Sequence, residues 1–184
     1  TPVVVSATSS VLSWATALTQ SGSQFYVAHD GGKRVARINL VMRTVVEDFS
    51  VGVDANGDRK VAALVAMPGE TNRVAAVTTN SSGSNWRYEV FQAGVSVSAS
   101  ADAFGFTPVL FAGDGAGELC AITDPGNSAC KLVRLVVSGA SISAVATDSM
   151  PTANFAQKRG RYVVTQGSIW DSTNHLYIGN PPGF

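Results

Sequence analysis

Three side chains with oxygen donors alternate in the segment DANGDRK, at Asp54, Asn56 and Asp58. Alternating carboxylate and amide groups open the ligand pattern of calcium loops, because Ca²⁺ prefers hard oxygen donors. The segment lacks the glycine that follows the third ligand in such loops, and Val65 stands where the twelfth-position glutamate belongs. A calcium site and a polar connecting loop are therefore the two interpretations, and no other cofactor is predicted.

A histidine and an aspartate are adjacent at His29 and Asp30, directly before the turn pair Gly31-Gly32. A carboxylate near an imidazole can orient it for ligand binding or proton transfer, whereas local turn and capping hydrogen bonds are the alternative. The chain has no G-x-S-x-G segment, and its carboxylates are scattered along the sequence. We therefore predict His29 and Asp30 as ligand-binding residues and assign no catalytic residue.

Two tryptophans, Trp86 and Trp170, are candidates for a different kind of ligand contact. An indole ring offers a large apolar face with one polar edge, which suits stacking on a sugar ring. The alternative for both residues is packing between sheets. Trp86 and Trp170 are accordingly predicted as ligand-binding residues for a glycan.

The two cysteines, Cys120 and Cys130, flank the turn cluster Asp124-Pro125-Gly126-Asn127. A hairpin centred on that cluster pairs residues whose numbers sum to about 250, which places the two sulfurs opposite each other. We predict a disulfide between them, with two buried thiols as the alternative. A disulfide would favour an oxidising compartment.

The composition excludes several classes of partner. The chain of 184 residues has 13 basic and 13 acidic side chains, so its net charge is zero and it generates no field that would recruit nucleic acid. No apolar run approaches the roughly 18 residues that span a bilayer, so membrane insertion is not expected. The start at Thr1-Pro2 suggests a processed or excised piece of a longer protein.

Strand patterns with a period of two residues and turn signals dominate the chain, and nothing of helical length has a 3.6-residue period. This pattern predicts an all-β protein with strands in four sets of four. The strands are predicted at 12–18, 24–29, 34–40 and 43–49; at 60–66, 73–79, 86–91 and 94–99; at 107–112, 117–122, 130–137 and 140–146; and at 152–156, 161–165, 168–171 and 174–178.

The four sets repeat. Their second strands begin at Phe25, Val74, Leu119 and Tyr162, with spacings of 49, 45 and 43 residues. A four-stranded antiparallel unit every 40–50 residues is typical of a β-propeller blade, and a β-sandwich is the alternative. We predict one domain over 1–184 with blades at about 10–52, 58–100, 104–147 and 150–180. These blades would form either a complete four-blade ring or part of a larger propeller.

The segment SGSQFYVAHDGGKRVARINLVMRTVVEDF resembles a blade of YVTN/NHL-like bacterial secreted β-propeller repeat proteins, in which a "lYVa" strand precedes a "v.viDl.tg" strand. The segments VAALVAMPGETNRVAAV and RYVVTQGSIWDSTNHLYIGN are similar to further blades of that group. The resemblance covers roughly residues 12 to 180, although Asn39 replaces the usual aspartate. It implies a propeller fold and a secreted, periplasmic or cell-surface location.

These observations favour a non-enzymatic binding module or scaffold for a protein or glycan partner. A propeller lyase or hydrolase that acts at the central channel, with a metal or His29, is the alternative, and a purely structural segment is a third hypothesis. If the four blades do not close a ring, self-association or a second chain would complete it.

Overall fold

The structure is a computed structural model of the chain. It describes residues 16–18, 22–55, 57–83, 85–100, 109–112, 117–123, 130–150, 156–165, 168–174 and 176–180. Within these residues every regular element is a β-strand, apart from one 3-10 turn at Asp30–Gly32. The prediction of an all-β chain is confirmed. None of the described segments forms a helix with the length and hydropathy that a membrane crossing requires.

Most of the strands form four antiparallel meanders of four strands each, and two short strands form a hairpin in the linker between the first and second meanders. The first meander contains β1 (Thr16–Leu18), β2 (Gln24–His29), β3 (Arg34–Asn39) and β4 (Thr44–Ser50), and the linker hairpin contains β5 (Val53–Asp54) and β6 (Gly57–Asp58). The second meander contains β7 (Lys60–Ala66), β8 (Arg73–Thr79), β9 (Arg87–Gln92) and β10 (Val95–Ala99). The third contains β11 (Val109–Ala112), β12 (Glu118–Thr123), β13 (Lys131–Ser138) and β14 (Ser141–Ser149), and the fourth contains β15 (Ala156–Arg159), β16 (Tyr162–Thr165), β17 (Ile169–Asp171) and β18 (Leu176–Gly179).

The first three meanders touch at their first strands, because β1 lies against β7 and β7 against β11. The outer strands of the second and third meanders also meet, since Ala99 of β10 pairs with Ser141 of β14 in parallel orientation. This single pairing joins the two meanders into one eight-stranded sheet. The Oγ of Ser98 reinforces it with a 2.5 Å hydrogen bond to the carbonyl oxygen of Gly139.

A hydrophobic cluster fills each junction between successive meanders. In the first two junctions many members are alanine and valine, whose small side chains let two sheets pack closely. The first junction buries Ala17, Tyr26, Ala28, Val35, Phe49, Val51, Val61, Leu64, Val74, Ala76 and Phe91. The second buries Met67, Ala75, Val77, Tyr88, Val90, Leu110, Leu119, Ala121, Val133, Leu135 and Ile142. The third buries Cys120, Ile122, Cys130, Leu132, Met150, Val163 and Trp170.

These clusters define two faces for each meander: a forward face toward the next meander and a backward face toward the preceding one. Tyr26 of β2 lies on a forward face, whereas Val74 of β8 lies on a backward face. In the fourth meander Val163 packs against the third, so it lies on the backward face. This face excludes Tyr162 as the equivalent of Phe25. Alignment of the buried polar ends of β12 and β16, Thr123 and Thr165, selects Arg161 instead, so the predicted repeat is corrected by one residue in its fourth unit.

Two glycines permit close contact at the first junction. Gly32 has a φ of +88°, and a Cβ atom there would lie 3.1 Å from the carbonyl oxygen of Val61. Gly94 has a φ of +74°, and a Cβ atom there would lie 3.1 Å from the Cβ of Phe49. Both positions combine a left-handed backbone with a close neighbour, so any side chain would separate the first two meanders.

The structure corrects the predicted disulfide. Cys120 pairs with Arg134 and Ile122 with Leu132, so the numbers of paired residues sum to 254 instead of 250. This register leaves Cys130 about 13 Å along the hairpin from the residue opposite Cys120, at about 3.3 Å per residue, whereas a disulfide joins Cα atoms within about 7 Å. No disulfide joins Cys120 and Cys130, and both thiols are buried in the third junction.

Candidate functional site

Three connecting segments come together at one end of the first two meanders. They are the turn 30–33, the linker 51–59 and the turn 80–86, and we call this surface the loop face. Lys33 Nζ lies 2.7 Å from Asp58 Oδ2, which joins the first turn to the linker hairpin. Arg59 Nη2 donates a 3.3 Å hydrogen bond to the carbonyl oxygen of Asn85, which joins the linker to the second turn. The loop face is therefore one continuous surface.

The imidazole of His29 contacts a different carboxylate from the one that the sequence suggested. His29 Nε2 lies 3.0 Å from Oδ1 of Asp48 on the outer strand β4, and Arg34 Nε donates a 2.9 Å hydrogen bond to the same oxygen. Asp30 is exposed in the adjacent turn. His29 is only 1% exposed, and its Nδ1 has no hydrogen-bond partner. A general base needs direct or water-mediated contact with its substrate, so this burial favours a structural pair.

A buried polar network lies beneath the loop face, at the first junction. Arg59 Nη1 donates to Asp54 Oδ2 at 2.8 Å, and Arg59 Nε donates to Thr78 Oγ1 at 3.1 Å. Thr78 Oγ1 in turn donates to Glu89 Oε2 at 2.8 Å. The side chains of Arg59, Thr78 and Glu89 are all buried. The network thus fixes the linker hairpin to the ends of β8 and β9.

The residues predicted to bind calcium have cationic neighbours. Asp54 pairs with Arg59, and Asp58 pairs with Lys33, whose ammonium pKa is raised by the hydrogen bond to Asp58. Asn56 lies outside the described residues. Within the described part of the chain, no group of three or more histidine, cysteine, aspartate or glutamate side chains is arranged to hold a metal ion. Calcium binding stays a prediction, and an ion would have to compete with two basic side chains.

The two candidate tryptophans have different surroundings. Trp86 directly precedes β9 at the loop face and is partly buried against the cluster of the second junction. Trp170 is buried in the third junction, where its Nε1 donates a 2.8 Å hydrogen bond to Ser168 Oγ and its ring lies 5.5 Å from that of Tyr177. Stacking on a sugar requires an accessible ring face, so only Trp86 enters the proposal below.

The corrected repeat reveals a polar position that the sequence analysis missed. A residue at or next to the end of each second strand, four positions after Phe25, Val74, Leu119 and Arg161, is buried and polar. These residues are His29, Thr78, Thr123 and Thr165. Thr78 bonds to Glu89, and Thr165 Oγ1 lies 2.7 Å from Ser168 Oγ. The signal in the sequence was a threonine before the turn in three of the four units. A fourth unit that begins at Tyr162 hides this signal, because it aligns Gln166 with His29, Thr78 and Thr123.

Two pKa shifts mark side chains outside the loop face. Burial raises the pKa of Tyr26 to about 12, and the nearby carboxylate of Glu47 acts in the same direction, whereas Arg37 opposes both. The hydrogen bond from Arg161 lowers the pKa of Asp171 to about 2, with further support from the backbone N–H groups of residues 173 and 174. Both shifts belong to side chains that stabilise the meanders.

Comparisons with known proteins agree on the fold alone. No protein-family model and no curated protein matches the chain. Among solved structures it is similar to Kuenenia stuttgartiensis hydrazine synthase, with a TM-score of 0.59 and 14% identity over 81% of this chain and 42% of that chain. It is also similar to Kluyvelomyces marxianus Hsv2, with a TM-score of 0.56 and 11% identity over 73% of this chain and 45% of that chain.

Both of these neighbours are β-propeller proteins, so the chain has a propeller-like fold. It spans less than half the length of either neighbour. The absence of a matching family model leaves the resemblance to YVTN/NHL-like repeats without further support. The predicted blade boundaries and the number of blades in the intact ring stay predictions.

Proposed function

We propose that this chain is a non-enzymatic binding module or scaffold of the YVTN/NHL-like propeller type, which acts outside the cell, in the periplasm or at the cell surface. Its loop face would hold a protein or glycan partner. The observation that carries the proposal is that the turn with Asp30 and Lys33, the linker with Asp58 and the turn before Trp86 are joined at one end of the meanders, although they are distant in sequence.

The loop face has the properties of a preformed binding surface. Binding residues are often carried by loops on a rigid scaffold, and the buried Arg59 network fixes these loops to two strands. The surface carries the indole of Trp86, which is partly buried against the second junction, and the exposed ion pair between Lys33 and Asp58 on the turn and linker of the first junction. An aromatic ring beside hydrogen-bonding groups suits a sugar or a polar protein surface. The net charge of zero argues against a nucleic-acid partner.

A glycan array tests the proposal directly. We expect the wild-type chain to give signals that Trp86→Ala lowers at least about tenfold, as for the loss of one buried aromatic contact. Val95→Ala is the matched control, because Val95 is an exposed side chain next to the turn at the opposite end of the second meander. Glycan binding that Trp86→Ala leaves unchanged would place the contact away from the loop face.

A protein partner is tested by the same pair of variants. Crosslinking in the secreted or periplasmic fraction should yield one product with the wild-type chain and with Val95→Ala, and none with Trp86→Ala. Fractionation of the producing cells tests the location independently. Recovery of the native protein only from the cytoplasm would contradict the extracellular assignment.

The enzymatic alternative rests on the contact between His29 and Asp48, because such a carboxylate orients an imidazole for catalysis. A lyase or hydrolase at the central channel would need this histidine or a bound metal. Metal analysis of the native protein separates the two functions, because a stoichiometric metal that is lost in His29→Asn would favour the enzyme.

A further inference from the structure

The turn between β3 and β4 exposes consecutive large apolar side chains. Leu40 is 43% exposed, Val41 79% and Met42 64%. Val45 and the bulged Val46 at the start of β4 are 37% and 46% exposed, and they extend the apolar surface along the outer strand. We call these five side chains the apolar tip. Contiguous apolar patches of this kind are typical of surfaces that bind a protein or a membrane.

The backbone N–H groups of the exposed turn already have acceptors within the chain. Leu40 N donates a 3.0 Å hydrogen bond to the carbonyl oxygen of Ser23. Asn39 Oδ1 accepts hydrogen bonds of 2.9 Å from the backbone N–H groups of both Val41 and Met42. A backbone N–H group that enters lipid without an acceptor is costly, because no water is present to replace the lost hydrogen bond. The turn is therefore prepared to leave water with these three donors satisfied.

The shape of the apolar tip favours a fluid partner. Val41 and Met42 are neighbours in a tight turn, and each is exposed over more than half of its surface. Both side chains therefore project from the end of the hairpin and do not lie on its sheet. A protein groove would have to match two adjacent projections, whereas the headgroup region of a bilayer surrounds apolar side chains without a matched shape.

The charge of the hairpin is complementary to lipid phosphates. Residues 34–50 contain three arginines and two carboxylates, which gives the hairpin a net charge of +1. The carboxylates, Glu47 and Asp48, follow the apolar tip in sequence and pair with the first two arginines. The third arginine, Arg43, is exposed at the position directly after Met42. A long cationic side chain beside apolar neighbours reaches the phosphates while those neighbours are buried.

We propose that the apolar tip binds the surface of a lipid bilayer, with Val41 and Met42 in the interfacial region and Arg43 at the level of the phosphates. The contact does not cross the bilayer, because the tip is far shorter than the roughly 18 residues that span it. The apolar side chains supply most of the affinity, and the arginine adds a preference for anionic lipids. This proposal does not depend on the ligand of the loop face.

The position of the apolar tip leaves the loop face accessible. β3 runs from the turn 30–33 at the loop face to Asn39, so the tip and the loop face lie at opposite ends of the first meander. A chain held at a membrane by its tip would direct the loop face away from the lipid. Membrane contact and partner binding are therefore compatible in one molecule.

Sedimentation with lipid vesicles tests the proposal on the intact chain. We expect the wild type to bind vesicles of phosphatidylcholine, and to bind vesicles of equal parts phosphatidylcholine and phosphatidylglycerol more tightly. Val41→Ser and Met42→Ser should each lower the partition coefficient about tenfold for both vesicles, because each removes a large apolar side chain from the contact. Val145→Ser is the matched control, since Val145 is 53% exposed on the outer strand of the third meander, and this change should leave binding unaltered.

Two further variants test the contribution of charge. Arg43→Gln should lower the partition coefficient about fivefold for the anionic vesicles and leave it unchanged for phosphatidylcholine. Asn39→Asp keeps a side-chain oxygen that accepts the two hydrogen bonds of the turn, but it adds a negative charge beside the phosphates. It should therefore weaken binding to the anionic vesicles about as much as Arg43→Gln does. Circular dichroism verifies that every variant is folded.

A fluorescent label locates the contact without relying on a loss of binding. Val41→Cys labelled with a polarity-sensitive fluorophore should shift its emission to the blue when vesicles are added, whereas labelled Val145→Cys should not. The two native thiols are buried, so the label attaches to the introduced cysteine.

Three outcomes would overturn the proposal. A wild-type chain that stays in the supernatant with both vesicles would leave a protein as the occupant of the apolar tip. Equal losses for Val41→Ser and Val145→Ser, or a blue shift at both labelled positions, would show adsorption that does not depend on the tip. Binding that requires anionic lipid and is unaffected by Val41→Ser would show an attraction by charge alone.

Discussion

Arg59 Nη1 lies 2.8 Å from Asp54 Oδ2, and the guanidinium also bonds to Thr78 at the end of β8, so one buried cation connects the linker between two meanders to the core of the second. The network continues from Thr78 to Glu89. A buried charge is costly unless it is paired and hydrogen-bonded, and here the guanidinium pairs with Asp54 inside the linker and bonds to Thr78 and Asn85 of the second meander. The linker is therefore held as part of the first junction.

Removal of this cation should cost much stability. We expect Arg59→Leu to lower the free energy of unfolding by about 3–5 kcal/mol, because Asp54 then stays at a partly buried site without its cationic partner and Thr78 loses the guanidinium that donates to it. Arg34→Leu is the control, because Arg34 also pairs with a carboxylate but is exposed, and its loss should cost less than about 1 kcal/mol. Urea unfolding measures both values, and equal losses would contradict the role of burial.

Tyr26 and Tyr162 occupy equivalent positions with opposite exposure, which makes them a matched pair. Tyr26→Ala should lower the free energy of unfolding by about 3–5 kcal/mol, since it leaves a large cavity at the first junction. Tyr26→Phe should cost about 0.5–1.5 kcal/mol through the loss of the hydrogen bond to the carbonyl oxygen of Thr71. Tyr162 is 42% exposed, so Tyr162→Ala, measured by the same urea method, should cost less than about 1 kcal/mol. A larger loss for Tyr162→Ala would refute the corrected repeat.

Local patterns were enough to locate many of the strands. The alternation of apolar and polar residues placed strands at 24–29 and 73–79, where the structure has β2 and β8 with the same bounds. Both segments contain β-branched residues and are followed by a polar turn. Their intrinsic preference for strands and their burial in the junctions therefore favour the same structure. The repeat of four-stranded units was also readable, because every meander needs a similar set of strand lengths and turns.

The turn sequence did not predict the register between β12 and β13 correctly. The cluster Asp124-Pro125-Gly126-Asn127 suggested a hairpin centre near residue 125, but the paired strands are centred two residues later. Register depends on which face of each strand is buried, and here Ile122 and Leu132 pair on the face that packs against the fourth meander. That requirement depends on residues of the fourth meander, about 40 positions away in sequence. A local motif such as this turn contains no information about them.

The site partners were missed for the same physical reason. His29 and Asp48 are 19 residues apart, as are Arg59 and Thr78, and each contact depends on the strand register or on the path of the linker. The adjacent pair His29-Asp30 was the visible motif, although the backbone of Asp30 turns away with a φ of +51°. The adjacent position in sequence therefore pointed to Asp30, whereas in the folded chain the carboxylate that contacts His29 belongs to Asp48.

The two cysteines should behave as buried thiols. A thiol-specific reagent should modify neither Cys120 nor Cys130 in the folded chain and both after denaturation, because reaction requires an accessible thiolate. A reducing agent should leave the melting temperature unchanged, since no disulfide is present to break. The mass of the protein after alkylation under denaturing, non-reducing conditions provides the measurement. A mass without added label, together with a melting temperature that falls on reduction, would restore the disulfide.

The pair formed by Arg161 and Asp171 should make stability depend on pH in the acid range. The hydrogen bond from Arg161 lowers the pKa of Asp171 from 3.8 to about 2 in the folded chain. The folded state thus favours the carboxylate, and this contribution is present above pH 3.8 and lost as the pH falls toward 2. Asp171→Asn keeps the one oxygen that accepts from the backbone N–H groups of residues 173 and 174, but it removes the charge and the second oxygen, which accepts from Arg161 and the Asn174 amide. We expect the wild type to melt at a higher temperature than Asp171→Asn at pH 6, with the difference vanishing near pH 2.

Asp30→Asn, a change at an exposed turn, is the control, and the melting temperatures of this variant and the wild type should not converge at low pH. A difference between wild type and Asp171→Asn that persists unchanged at pH 2 would rule out the ion pair as its source.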